Sequence, residues 1–172
     1  MNTIQSFMIR RVSKDNYSQV MDFIIRLRKE LFPMLSQEDV PKDLVCFEEY
    51  YHNQDDAALF AAFLLNGYVV GTIGVLPYDG RFNQLQQFYG NTSMAEIVKC
   101  YVDFNYRRLG IGTRLYKTAL DFSRSAGYED LYLHTHPFLP GAIPFWKAKG
   151  FRSRIVEDDP IWNTIHMDKK LV

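Results

Sequence analysis

The sequence predicts an α/β chain built on a mixed sheet with helices on both faces. Two observations carry that prediction. Segments with apolar residues at helical spacing alternate with short apolar or alternating runs of strand length. Glycine, proline or Asn-Gly then punctuates the joints. Read in order, the elements run β-α-α-β-β-β-α-β-α-β-β, which makes about seven strands.

Met8–Val12 reads as the first strand. Lys14-Asp15-Asn16 offers a cap, and Val20, Phe23, Ile24, Leu27 and Leu31 recur at helical spacing until Phe32-Pro33 ends the helix. A second helix is placed from about Gln37 or Pro41 to Tyr51. Ala57–Leu76 is uncharged and mostly apolar, so its length could pass for a membrane span. Asn66-Gly67 divides it, however, into runs of strand length, Ala57–Asn66 and Tyr68–Pro77. That is a hairpin signal, with positive φ expected at both turn positions.

Tyr78–Ser93 is polar and without period, and is read as a loop. Ala95–Asp103 alternates and carries β-branched residues, as a strand does. Phe104–Leu109 turns into a helix from about Gly110 to Ala126, whose stripe is Ile111, Leu115, Ala119, Phe122 and Ala126. Gly127 ends it. Leu131–His136 is the next strand. Gly141–Lys149 is a short helix in which Pro144 fits only the first turn. Gly150 stops it, and Phe151–Val156 and Ile161–Asp168 read as closing strands. No repeat or linker appears, so residues 1–172 are expected to form a single domain of a size that can bury a core.

Composition narrows the function. Lys+Arg and Asp+Glu are 20 each, which leaves no net basic field for a nucleic-acid backbone. Cys46 and Cys100 are too few for a disulfide framework or zinc site, and MNTIQSFMIRRV has no apolar secretory core. A cytoplasmic setting is expected, with no metal, no nucleic-acid partner and no membrane partner.

The chemistry concentrates in Arg107-Arg108-Leu109-Gly110-Ile111-Gly112, between a strand and a helix start. The open end of a helix presents unpaired amides and a positive dipole end, so it holds phosphate without a special side chain. Glycines let the backbone approach, and arginines add charge. The loop is not a nucleotide P-loop, because Lys-Ser/Thr is missing after the last glycine. The third glycine of the dinucleotide fingerprint is absent too. A tight turn with a solvated basic pair is the competing reading of the bare pattern.

In context, AEIVKCYVDFNYRRLGIGTRLYKTALDFSRSAGY resembles the GNAT superfamily of acyl-CoA-dependent N-acetyltransferases, whose signature is Arg/Gln-x-x-Gly-x-Gly/Ala after the fourth strand. LYLHTHPFLPGAIPFWKAKGF and TIHMDKKL extend the resemblance through the family's later elements. It implies a mostly antiparallel twisted sheet and acetyl-CoA as acyl donor. It also implies transfer of acetyl to a primary amine of a small molecule or peptide. Arg107, Arg108, Leu109, Gly110, Ile111, Gly112 and Thr113 would hold the pyrophosphate, while Tyr101 and Val102 would bond the pantetheine arm through their main chain. A bulge would splay the fourth strand from the fifth, and the amide near Cys100–Tyr101 would polarise the acetyl carbonyl.

An ammonium acceptor must lose a proton before attack. Glu96 sits where the histone-acetylating branch of the family places its glutamate. Strict alternation would put it on one face with Val98, Cys100 and Val102. A structural glutamate is the competing reading. His134 and His136 alternate onto one face of the fifth strand and are rival bases. The family's tyrosine acid is replaced by Trp146, so water, Tyr101 or Tyr106 are left for that role. Cys100 as a nucleophile lacks a readable histidine partner. Acceptor choice is expected from 32–52 and 78–93. A coenzyme-A-binding module without turnover is the alternative, and a homodimer is left open.

Overall fold

The computed structural model describes residues 6–35 and 39–171. The elements are β1 Phe7–Arg11, α1 Tyr17–Leu31, α2 Lys42–Val45, β2 Ala58–Leu64, β3 Val69–Pro77, α3 Gln86–Tyr89, β4 Met94–Val102, α4 Ile111–Ser125, β5 Asp130–Thr135, α5 Ala142–Ala148, β6 Arg152–Val156 and β7 Ile165–Lys170. The hydrogen-bonded strand order is β1-β2-β3-β4-β5-β7-β6. Pairing is antiparallel for β1–β2, β2–β3, β5–β7 and β6–β7, and parallel for β4–β5. The expected mixed, mostly antiparallel sheet is therefore present. Among the described residues, no helix is long and apolar enough to cross a membrane.

Contacts gather into two compact units, Met1–Leu76 with Val98–Phe122, and Pro77–Ile97 with Ser123–Val172. In the first, the predicted stripe of α1 is the buried one: Val20, Phe23, Ile24 and Leu27 pack with Leu59, Ala61 and Phe63 of β2. The opposite face of this part of the sheet receives α4. A methyl at Gly71 would lie 2.9 Å from Leu115 Cδ1 and 3.0 Å from Ile111 Cγ2, so glycine is what lets the helix settle there. Asn16 caps backwards, its Oδ1 accepting from Ser13 N, and makes no side-chain bond into α1.

The hairpin forms as expected, but its turn differs. Among the described residues Gly67 has positive φ (+84°) and Asn66 does not. Gly67 N donates to Leu64 O and Leu64 N to Tyr68 O, the pattern of a type I turn followed by a left-handed residue. Glycine is needed only at that last position. The second helix is short and broken: α2 is followed by a π-helical turn at Glu48–His52, and the Gln37 start lies outside the described residues.

In the second unit, the expected loop holds a 3₁₀ turn at Asn83–Leu85 and then α3. Leu85 anchors it, packing with Met94 and Tyr132 in a cluster flanked by Tyr78, Phe82, Tyr89 and Ile155. One buried leucine among polar residues has no period to read. The last strand starts later than expected because Asp159 Oδ1 accepts from Ile161 N and Trp162 N, which curls that stretch into a turn.

Candidate functional site

The first unit carries the glycine loop. Asp103, 3% exposed, anchors its start: Oδ1 accepts from Asn105 N, and Oδ2 takes a 3.0 Å bond from Arg26 Nη2. A 3₁₀ turn at Phe104–Tyr106 follows. Arg108 (φ +65°) and Gly110 (φ +80°) then adopt left-handed backbone, a curl that gathers amides into an anion-binding concavity. Arg114 N donates to Gly110 O at 3.1 Å and closes the first turn of α4. The amides of 111–113 thus lie at the open end of the helix. Ile111 is buried at 2% and pins the helix start, while Arg108, Leu109, Gly110 and Thr113 are exposed.

The two arginines differ in a way the sequence could not show. Arg107 Nε donates to Val102 O at 3.2 Å, and its guanidinium lies 3.8 Å over the Phe104 ring. Burial lowers its pKa, against the pull of Asp103 and Glu30. It braces the loop. Arg108 is the exposed charge.

Preceding the loop, β4 contains a bulge. Tyr78 N bonds Met94 O, whereas Asp103 N bonds Val70 O, so the offset against β3 slips by one residue between them. Lys99, at φ +52°, marks the slip. Val98 packs over Gly74 beside Tyr51 OH, Lys99 Nζ reaches Asp43 Oδ2 at 3.2 Å, and Tyr101 packs on the α1 cluster. All three approach one group of elements, which strict alternation forbids. The expectation of one unbroken face from Glu96 through Val98 to Val102 therefore fails at Lys99. Lys99 O accepts from Thr72 Oγ1 at 2.7 Å.

Burial pushes the Cys100 thiol up to about 12, so it stays protonated, contrary to what a nucleophile needs. Burial also pushes the Tyr101 phenol up to about 12, with Arg28 opposing and Asp43 adding. It keeps its proton at neutral pH, as a proton donor must.

The second unit holds the polar residues. Glu96 is 3% exposed and grips Arg81 with both oxygens, at 3.0 Å to Nη1 and 2.5 Å to Nη2. Asp79 shares Arg81 at 2.9 Å. Burial would lower the Arg81 pKa, but the bonds and charge of Glu96, then Asp79, hold it above its ordinary value. Arg81 comes from the stretch read as a loop, and no local pattern ties it to Glu96. His134 Nδ1 lies 4.0 Å from Glu96 Oε1 and 3.4 Å from Tyr132 OH.

His136 is placed differently. It follows the end of β5, 8% exposed, with Nδ1 donating to Trp162 O at 3.1 Å and its ring stacked on Phe138. Burial lowers its pKa, while the Trp162 carbonyl pulls the other way. Trp146 is buried at 6%, edge-on to Phe145 and Phe151, which explains an indole at that position by packing. Among the described residues, no group of three or more His, Cys, Asp or Glu side chains is disposed to hold a metal ion.

Comparison with known proteins agrees with this architecture. The chain is 29% identical over 126 residues to the probable N-acetyltransferase camello of Xenopus tropicalis, a match covering 73% of this chain and 52% of that protein. It thus spans about half the length of that relative. An acetyltransferase of the GNAT family from Staphylococcus aureus Mu50 superposes with a TM-score of 0.78 at 23% identity, over 97% of this chain and 100% of that one. The PaiA N-acetyltransferase of Thermoplasma acidophilum, crystallised in complex with coenzyme A, superposes with a TM-score of 0.67 at 19% identity, over 96% and 99%. The profile of the acetyltransferase (GNAT) family matches residues 21–151, and the chain belongs to that family.

Proposed function

We propose that this chain is an acyltransferase that moves acetyl from acetyl-CoA to the primary amine of a small molecule or peptide. The observation that carries the reading is the left-handed pair Arg108 and Gly110 curling into the open end of α4. Amides of 108–113 would receive the pyrophosphate, with Arg108 as the exposed countercharge and Arg107 as the brace. The main chain of Tyr101 and Val102 would bond the pantetheine arm. Because Val102 O already accepts from Arg107, the arm would use its amide or second lone pair. The amide near Cys100–Tyr101, set by the bulge, would meet the charge developing on the acetyl oxygen.

The reaction forms the C–N bond of an amide, breaks the C–S bond of the thioester, and releases one proton from the ammonium. Glu96, with His134 beside it, supplies negative charge for that proton. Glu96 meanwhile stays bonded to Arg81 through both oxygens. Tyr101 is the proton donor to the departing thiolate, or water is. His136 is committed to Trp162 and Phe138 and is the weaker alternative base.

Free thiol measured on mixing with acetyl-CoA tests the proposal. The amine panel is spermidine, kanamycin, free amino acids, and a peptide with a free amino terminus and a lysine. Amine-dependent release is expected. Tight coenzyme A binding with no release across the panel would favour the second reading, a coenzyme-A-binding module without turnover, which the packing role of Trp146 favours.

A further inference from the structure

Within the first unit, the glycine loop begins on a negative charge that its own turn does not need. Asp103 Oδ1 accepts from Asn105 N at 2.9 Å, a bond that a neutral asparagine side chain also makes. The carboxylate instead brings a charge, on a side chain only 4% exposed, to the start of a loop whose amides are set to receive another anion. Its main chain is engaged as well, with Asp103 N donating to Val70 O and Asp103 O accepting from Tyr106 N, both at 2.9 Å. Asp103 therefore cannot swing its carboxylate to water without releasing Asn105 N and loosening the Phe104–Tyr106 turn.

The countercharge comes from 77 positions away in the chain. Arg26 Nη2, on α1, donates to Asp103 Oδ2 at 3.0 Å and to Tyr68 OH at 3.2 Å. Its guanidinium lies 5.5 Å over the Phe23 ring, and Nη1 lies 3.7 Å from Glu30 Oε1. Phe23 and Leu27 are buried, so the packing of α1 is what brings Arg26 to this position. Arg107 is nearer in sequence but is committed to Val102 O and the Phe104 ring. Among the described residues, Arg26 is the one cation in ion-pair contact with Asp103.

We infer that Arg26 is a positioning residue for donor binding: by neutralising Asp103 it holds the turn that opens the glycine loop and lets the loop accept a second anion. This rests on the coenzyme A reading of the loop and adds α1 to what that site requires. Two anions close together in a partly buried setting repel unless a cation stays on one of them. Removing the cation alone leaves a buried carboxylate uncompensated, a larger defect than removing both partners. The effect of Arg26 on coenzyme A should therefore vanish once Asp103 has lost its charge.

A double-mutant cycle tests this, with coenzyme A titrated calorimetrically into the native chain, Arg26→Met, Asp103→Asn and the double variant. Methionine keeps an apolar stem beside Phe23, so the change removes charge and bonds with little loss of packing. Arg26→Met should weaken coenzyme A binding about tenfold or more. Asp103→Asn and the double variant should both bind within about threefold of the native chain. Amide hydrogen exchange reads the turn without any ligand. Exchange at Asn105 and Tyr106 should be faster in Arg26→Met and return toward native in the double variant. Arg26→Gln, which keeps a donor for Oδ2 without the charge, carries the same expectations if Arg26→Met folds poorly. Affinity within about threefold of native in the Arg26 single variant overturns the inference. So does a loss that persists in the double variant, because Arg26 would then serve the fold or touch the ligand itself. A native chain that binds no coenzyme A would instead sink the reading of the loop, while the exchange rates would still decide the link from Arg26 to the turn.

Discussion

The glycine loop of the first unit and the polar cluster of the second place their chemistry in opposite ways. The loop works through main-chain amides, oriented by left-handed φ at Arg108 and Gly110 and by a helix start that Ile111 pins in the core. The cluster works through side chains from distant segments: Arg81 from the stretch between β3 and the Asn83–Leu85 turn, Glu96 from β4, Tyr132 and His134 from β5, and His166 from β7. A backbone site tolerates side-chain change wherever the backbone can still form. A side-chain site depends on each partner, since one lost member leaves another buried and unpaired.

The largest effect should come from placing a charge in the loop. Gly112→Glu should weaken coenzyme A binding more than about 100-fold by calorimetry, because a carboxylate against the pyrophosphate costs several kcal/mol. Unchanged affinity would remove the loop from the donor site.

Next, Glu96→Gln should lower kcat by about 10–100-fold with coenzyme A affinity within twofold, since it touches only the cluster. An intact rate would leave Glu96 as the structural partner of Arg81.

A third change tests the bulge. At Gly74 a new methyl would lie 2.8 Å from Val98 Cγ2 and 3.3 Å from Tyr51 OH. Gly74→Ala should therefore cost about 1–3 kcal/mol in denaturant unfolding. A neutral result would mean that β3 and the bulged β4 part easily.

The smallest effect is electrostatic. The folded-state pKa of His136 is depressed by burial, so the unfolded chain binds the proton more readily. Its contribution is complete above the ordinary value of 6.5 and is lost as pH falls through that value toward the folded one. His136→Asn should flatten the fall in stability below neutral pH by less than about one proton. An unaltered slope would show that His136 takes up its proton equally in the folded and unfolded chain.

The same contrast explains what could be read in advance. Helical stripes such as Val20–Leu27 and Ile111–Ala119 are local periodicities, and they bury as the spacing implies. The loop is local as well, since helix starts and glycines are written contiguously. Lys99 carries no mark of its positive φ, because a bulge is set by pairing with β3 and not by its own residue type. The alternation of His134 and His136 is visible in the sequence. His136, however, falls beyond the end of β5, and His166 meets His134 only through the β5–β7 register. The Arg81–Glu96 pair likewise depends on the turn at Asn83–Leu85, whose Leu85 is buried against Met94 and Tyr132.

A crystal structure with coenzyme A tests the central claim most directly. The account predicts pyrophosphate oxygens about 2.7–3.2 Å from main-chain amides within 108–113, with the Arg108 side chain turned toward them and Arg107 still over Phe104. Coenzyme A held by side chains elsewhere, with those amides facing water, would contradict it.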